Sequence, residues 1–128
     1  DYVATGGSRE AIVSAPKNIG SEALSAFIFH EASRPNPFAL LGAMFIIEGL
    51  GAKKALGWAD ALSQQLGLSD EQTSFLRYHG NNDDEHLGQL HAAFASGLVD
   101  DAMAQDIVRV ARVTARLYAL QLEEVDRV

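Results

Sequence analysis

At 128 residues, with a formal net charge of −7 and no cysteine, the chain has the size of one domain. Ten scattered basic residues against seventeen acidic ones exclude a general nucleic-acid surface, because neutralising phosphates takes clustered Lys and Arg. Without cysteine there is neither a disulfide framework nor a thiolate metal site, so any metal must be held by imidazole and carboxylate.

The sequence opens on Asp1 rather than Met, so a processed, truncated or partly observed product is expected. Residues 1–17 carry Gly6, Gly7, Ser8, Ser14 and Pro16 without a sustained period, and read as a linker or loop with at most a short turn around Glu10 to Val13. Residues 18–128 read as the helical domain. Asn18 or Ser21 can cap a first helix that runs to about Ser33 with Ala23, Ala26, Phe27 and His30 on one face. Arg34-Pro35-Asn36-Pro37 ends it, since proline removes a donor and restricts the residue before it.

A second helix starts near Pro37, is apolar almost all round through Ile47, and is expected to be the most buried. Glu48 shares a stripe with Leu41, Phe45 and Ala52 and should point inward. Gly42, Gly49, Gly51 and Gly57 lie along this helix, where glycine costs up to about 1 kcal/mol each, so close approach of another backbone or a ligand, or a kink, is expected. The apolar run Phe38 to Ala52 is interrupted by Glu48 and too short for a membrane span; with no signal peptide in view, a cytoplasmic protein is expected. Gly67 is a natural stop.

Ser69-Asp70-Glu71-Gln72 is a capping-box pattern that opens a third helix, ending at Gly97. Asp100 or Asp101 then caps a fourth, with Ile107, Val110, Thr114, Leu117, Tyr118 and Val125 on its inner face. The predicted fold class is all-α: three long helices and a shorter first one, antiparallel across short connections.

The third helix carries the chemistry. In Arg77 to His91, His79, Asp83 and His86 fall within about 60° of one another on a helical projection, on a stripe whose flanks, Phe75, Leu76, Ala93 and Phe94, are apolar. A single histidine on such a face is more often hydrogen-bonded than metal-bound. Three aligned polar groups one turn apart have the spacing of ligands to one ion or two adjacent ions. Glu48 on the preceding helix adds a carboxylate, and bundles build carboxylate-bridged metal sites from inward Glu plus a carboxylate-x-x-His element, of which Asp83-x-x-His86 is a variant. The competing reading for Glu48 is a buried salt bridge to Arg112 or Arg116. With nitrogen and oxygen donors, iron or manganese is favoured over structural zinc. His91 reads as a rim residue, Asp84 and Glu85 as acidic surface, Glu123 and Glu124 as a solvated helix end, and His30 has no obvious partner.

The stretch NPFALLGAMFIIEGLGAKKALG, followed by FLRYHGNNDDEH, resembles the C-terminal half of the haem-oxygenase-like di-iron oxidases, also called iron-containing redox enzymes, from about Ala23 onward. Their fold relatives are haem oxygenase, thiaminase II and the maturing enzyme of pyrroloquinoline quinone synthesis. The resemblance implies a haem-oxygenase-like helical bundle and makes Glu48, His79, Asp83 and His86 ligands in half of a di-iron site. It also implies Fe(II), dioxygen, an electron source and a small-molecule substrate, with no nucleic acid or membrane partner.

One departure stands out. Family members carry an earlier E-x-x-x-x-x-x-H element, whereas Glu22 and His30 are eight apart, one residue too many. The first-half ligands are therefore expected from outside this chain, from a second copy in a homodimer, or not at all. The alternative function is a non-catalytic helical interaction module in which Glu48 and the histidines form a buried polar network. Haem or small-molecule binding of the haem oxygenase or thiaminase kind is a third reading, disfavoured because no proximal haem histidine or nucleophilic cysteine can be matched.

Overall fold

The computed structural model describes residues 1–126, and these are all-α, with no strand. Five α-helices follow in order: α1 (Arg9–Ser14), α2 (Ile19–Ala32), α3 (Leu41–Leu66), α4 (Ser74–Ala95) and α5 (Asp101–Glu123). The last four are the expected helices. The fifth, α1, together with a 3-10 turn at Val3–Thr5, lies within the stretch read as linker or loop; Ser8 caps α1 by accepting from Ala11 N–H. Arg127 and Val128, the end of the region read as one helical domain, lie outside the described residues. The chain divides into two compact units: Asp1–Ala15 with Glu48–Gly88, and Pro16–Ile47 with Gln89 onward.

In the second of these units α2 packs on α5 and on the 3-10 turn Pro37–Leu40 that precedes α3. Asn18 caps α2 through Oδ1, which accepts from Ser21 N–H at 2.8 Å, while its Nδ2 donates to the carbonyl of Gln121 at 3.0 Å. The cap therefore also fastens the start of α2 to the end of α5. Gly20 belongs to the same contact: a Cβ there would lie 2.5 Å from Gln121 Cα, which only glycine avoids.

The face of α2 read from the sequence is covered only in part: Phe27 packs on the core and Ala23 is half-buried. Ala26 and His30 are exposed, and Gly20 and Glu31 are the buried positions. Glu31 is turned inward because two arginines meet it: Arg109 donates to both carboxylate oxygens at 3.0 Å, and Arg34 donates to Oε2 at 3.1 Å. A carboxylate so paired is tolerated where a lone one is not. The apolar core here is Ala39, Ala43 and Val110, with Phe27, Ile28 and Leu40 packed against it. On α5, Asp100 caps by accepting from Met103 N–H at 2.8 Å, and Ile107, Val110 and Thr114 are buried as predicted. Val125 is exposed, because α5 ends at Glu123 before its stripe reaches that far.

In the other unit the capping box forms as predicted: Ser69 N–H donates to Gln72 Oε1 at 2.9 Å and Gln72 N–H to Ser69 Oγ at 3.4 Å. It opens a 3-10 turn, Glu71–Thr73, ahead of α4. The start of α4 is capped from far away in sequence, since Asp1 Oδ1 accepts from Phe75 N–H and from Ser74 Oγ, both at 2.9 Å. Arg77 on α4 donates to Asp60 Oδ1 on α3 at 3.0 Å. The α3 stop is as expected, with Gly67 at φ +70°.

The expectation that α3 is the most buried helix fails. Its buried positions are small: Gly42, Ala43, Ala55 and Ala59. Met44, Phe45, Ile47, Leu56, Trp58, Leu62 and Leu66 are all exposed to some degree, Leu66 at 65%. Apolarity all round suggests a helix packed on every side, but among the described residues the fully buried positions of α3 are the small ones. Among those residues no helix is long and apolar enough to cross a membrane.

Candidate metal centre

All four residues singled out in the sequence fall in the unit formed by 1–15 and 48–88. Glu48 comes from α3, and His79, Asp83 and His86 from successive turns of α4, the four- and three-residue spacings placing them on adjoining faces. Three of them meet: Glu48, Asp83 and His86 each bring a ligand atom within 4.8 Å of the other two. His79 attaches through Asp83. Its Nδ1 lies 3.0 Å from Asp83 Oδ1, and that same oxygen is 3.7 Å from His86 Nδ1, so one carboxylate oxygen stands between two imidazoles. The same His86 Nδ1 is 3.0 Å from Glu48 Oε2. An ionised carboxylate only accepts, so the proton in these bonds sits on the rings.

Burial is uneven. Asp83 is 1% exposed, yet the stripe as a whole does not face a sealed core: the His79 and His86 side chains keep 35% and 42% of their surface, and Phe75 is exposed. Phe75 packs its ring 4.6 Å from that of His79, with Tyr78 edge-on to the same imidazole at 5.5 Å, so His79 is held by aromatic neighbours as well as by Asp83. The hydrogen bond to Glu48 raises the His86 pKa above its ordinary value, against partial desolvation and with further help from the charges of Glu48, Asp83 and Glu85.

The salt-bridge alternative for Glu48 is not what forms. Its partner is His86, while Arg116 pairs with Glu123 at 3.0 Å. His30 and His91 are exposed, and the His91 ring lies tilted against Phe45 with ring centres 5.9 Å apart. For Gly51, where close approach of a backbone or ligand or a kink is expected, what approaches is a side chain: the Asp83 carboxylate lies directly over it. The unit containing α2 and α5 has its own concavity, an open apolar groove of about 680 Å³ walled by Phe45, Ile46, Phe94, Ile107 and Ala111, with Arg112 at its wall.

Two carboxylates and an imidazole converging from two helices, with a second imidazole attached, have the donor chemistry of a site for a hard or borderline divalent ion. They differ from a hydrophobic core in that no apolar isostere could satisfy them. The chain belongs to the iron-containing redox enzyme family, whose sequence profile matches residues 2–119. That match bears out the all-α, haem-oxygenase-like fold class and the redox character implied by the sequence resemblance, and it takes in the segment carrying α1. Neither the curated proteins nor the solved structures contain a match to the chain.

Proposed function

We propose that the chain carries ligands of a non-haem iron centre in an oxidoreductase that acts with dioxygen on a small molecule. The observation that supports this most is the meeting of Glu48, Asp83 and His86 within 4.8 Å in a chain of an iron-containing family. The donor set fits the metal: two carboxylates offset the ion's charge, and imidazole suits iron or manganese. Glu48, Asp83 and His86 would hold the ion, with His79 as a further ligand or as the group that fixes Asp83 through its 3.0 Å bond. When bound, iron supplies the redox chemistry with dioxygen.

The chain's own residues do the arranging. Asp83 is locked by burial, and Glu48 reaches His86 across 38 residues of sequence, so the site exists only where α3 and α4 lie side by side. In this reading a di-iron centre draws its remaining ligands from a completed bundle, activity depends on that completion, and the location is cytoplasmic. Self-association into a homodimer is part of the same proposal, supported by the exposed Phe75 and Tyr78 beside the site.

Anaerobic titration with Fe(II), followed by calorimetry, tests the core of the proposal. Saturable binding that is weakened at least tenfold in Glu48→Gln, a change worth about 1.4 kcal/mol, is the expected result; an unsaturable parent chain would end it. A second reading has an observation of its own: the histidine–carboxylate bonds satisfy one another without an ion. As a non-catalytic interaction module, the chain would lose thermal stability in His79→Ala and take up no metal before or after the change.

A further inference from the structure

Asp83 owes its place to a missing side chain on the opposite helix. Gly51 follows Glu48 by three positions on α3, and a Cβ built on it would overlap Asp83 Oδ2, while standing only 2.8 Å from Cγ and 3.6 Å from Cβ of the same residue. These are the three nearest atoms, so the whole conflict is with Asp83. Turning the carboxylate about its Cβ–Cγ bond could move Oδ2 aside but would leave Cγ where it is, closer than carbons pack. The side chain would have to leave its rotamer, and with 1% exposure it has nowhere apolar-free to go.

Two other glycines of α3 serve as references, because Gly49 and Gly57 would place a Cβ in open space. The helix thus carries glycine where none is sterically required and also where one is.

We propose that Gly51 is a positioning residue of the metal centre: its lack of a Cβ lets Asp83 lie against α3 and hold Oδ1 between His79 and His86. The effect on the ion rests on the proposed metal centre; the Gly51–Asp83 contact stands without it. In Gly51→Ala, either Asp83 swings out of its bonds with His79, or α3 and α4 separate and draw Glu48 away from His86. Both routes disperse the donor set.

The test is a double-mutant cycle on the full 128-residue chain, with Co(II) as a spectroscopic probe, reading visible absorption, affinity and urea midpoint. Gly51→Ala should weaken Co(II) binding at least tenfold and alter its ligand-field bands, while Gly49→Ala keeps the parent's affinity and spectrum. Asp83→Ala should also weaken binding, and the double variant G51A/D83A should bind no worse than D83A, because the clash has lost its partner. If G51A fails to fold, D83A should restore folding in the double variant. An unchanged Co(II) spectrum and affinity in G51A, multiplied losses in the double variant, or a double variant that stays unfolded would each overturn the proposal. Should the parent chain take no Co(II), the metal reading falls by itself, and the Gly51–Asp83 contact is then decided by the urea midpoints: coupled if real, additive if not.

Discussion

Replacing Glu31 by glutamine should destabilise the unit built on α2 and α5 more than any exposed charge removal. The carboxylate is 2% exposed and accepts three arginine hydrogen bonds, two from Arg109 and one from Arg34. Glutamine keeps the shape, offers one acceptor instead of two, and leaves two guanidinium groups facing a neutral amide. Breaking a buried ion pair from one side costs about 3–5 kcal/mol. Both arginines keep 41% of their side-chain surface in water, so the charges left behind remain partly hydrated and the loss is discounted to about 2 kcal/mol. At roughly 4 °C per kcal/mol for a chain of this size, Tm should fall by about 8 °C, measurable by circular dichroism. Arg109→Met should cost a similar amount, and the two changes together less than their sum, since each removes the same interaction. A midpoint for E31Q within about 1 °C of the parent would refute the reasoning, because it would mean that solvent replaces the arginines at no cost.

The same pair predicts acid sensitivity. The Arg109 hydrogen bonds hold the Glu31 pKa below its ordinary 4.5, with Arg34 assisting and burial opposing. A depressed carboxylate contributes stability above its unfolded pKa and loses it as pH falls through the folded one. The stability gap between parent and E31Q should therefore be full at neutral pH and shrink progressively below about pH 4.5, in urea titrations at stepped pH. On α3, Gly57→Ala should raise stability by roughly 0.5–1 kcal/mol, as the new methyl meets nothing and helix propensity improves. Gly42→Ala should lower it by about 1–3 kcal/mol, because the methyl would run into the Ile107 carbonyl and lie 2.8 Å from Ala111 N. Thermal melts of the two variants side by side give opposite signs if the contact assignment is right.

Helix boundaries were legible because they rest on local chemistry. Asn18, the Ser69–Gln72 box, Gly67 and Asp100 each act through atoms within a few residues, and each forms the cap its spacing predicts. The meeting of Glu48 with His86 and Asp83 was legible for another reason. Charged groups on an apolar stripe need partners, and the neighbouring helix held a matching one.

Less legible was which faces distant residues cover. The burial of Glu31 depends on Arg109, 78 positions away, which no local pattern reveals, while Ala26 and His30 on the α2 face read from the sequence are exposed. Phe75 and Val125 sit at positions where helical period alone points inward, yet both are exposed. The period says which side chains share a face, not whether something covers it. Gly51 could be suspected of close approach, but only the fold says that the approaching atom is Asp83 Oδ2.

The arrangement of α3, with alanine and glycine at its fully buried positions and large apolar residues more exposed, inverts the usual relation between side-chain size and freedom to vary. In most helices the bulky positions are frozen and the small ones drift. Here Leu62 and Leu66 can be exchanged with little disturbance to the described packing, whereas Ala43, Ala55 and Ala59 are all but sealed from solvent, and any added methylene there goes into the interior. A substitution score weighted by hydropathy would rank these positions backwards, and neutral drift should accumulate on the leucines while the alanines hold still.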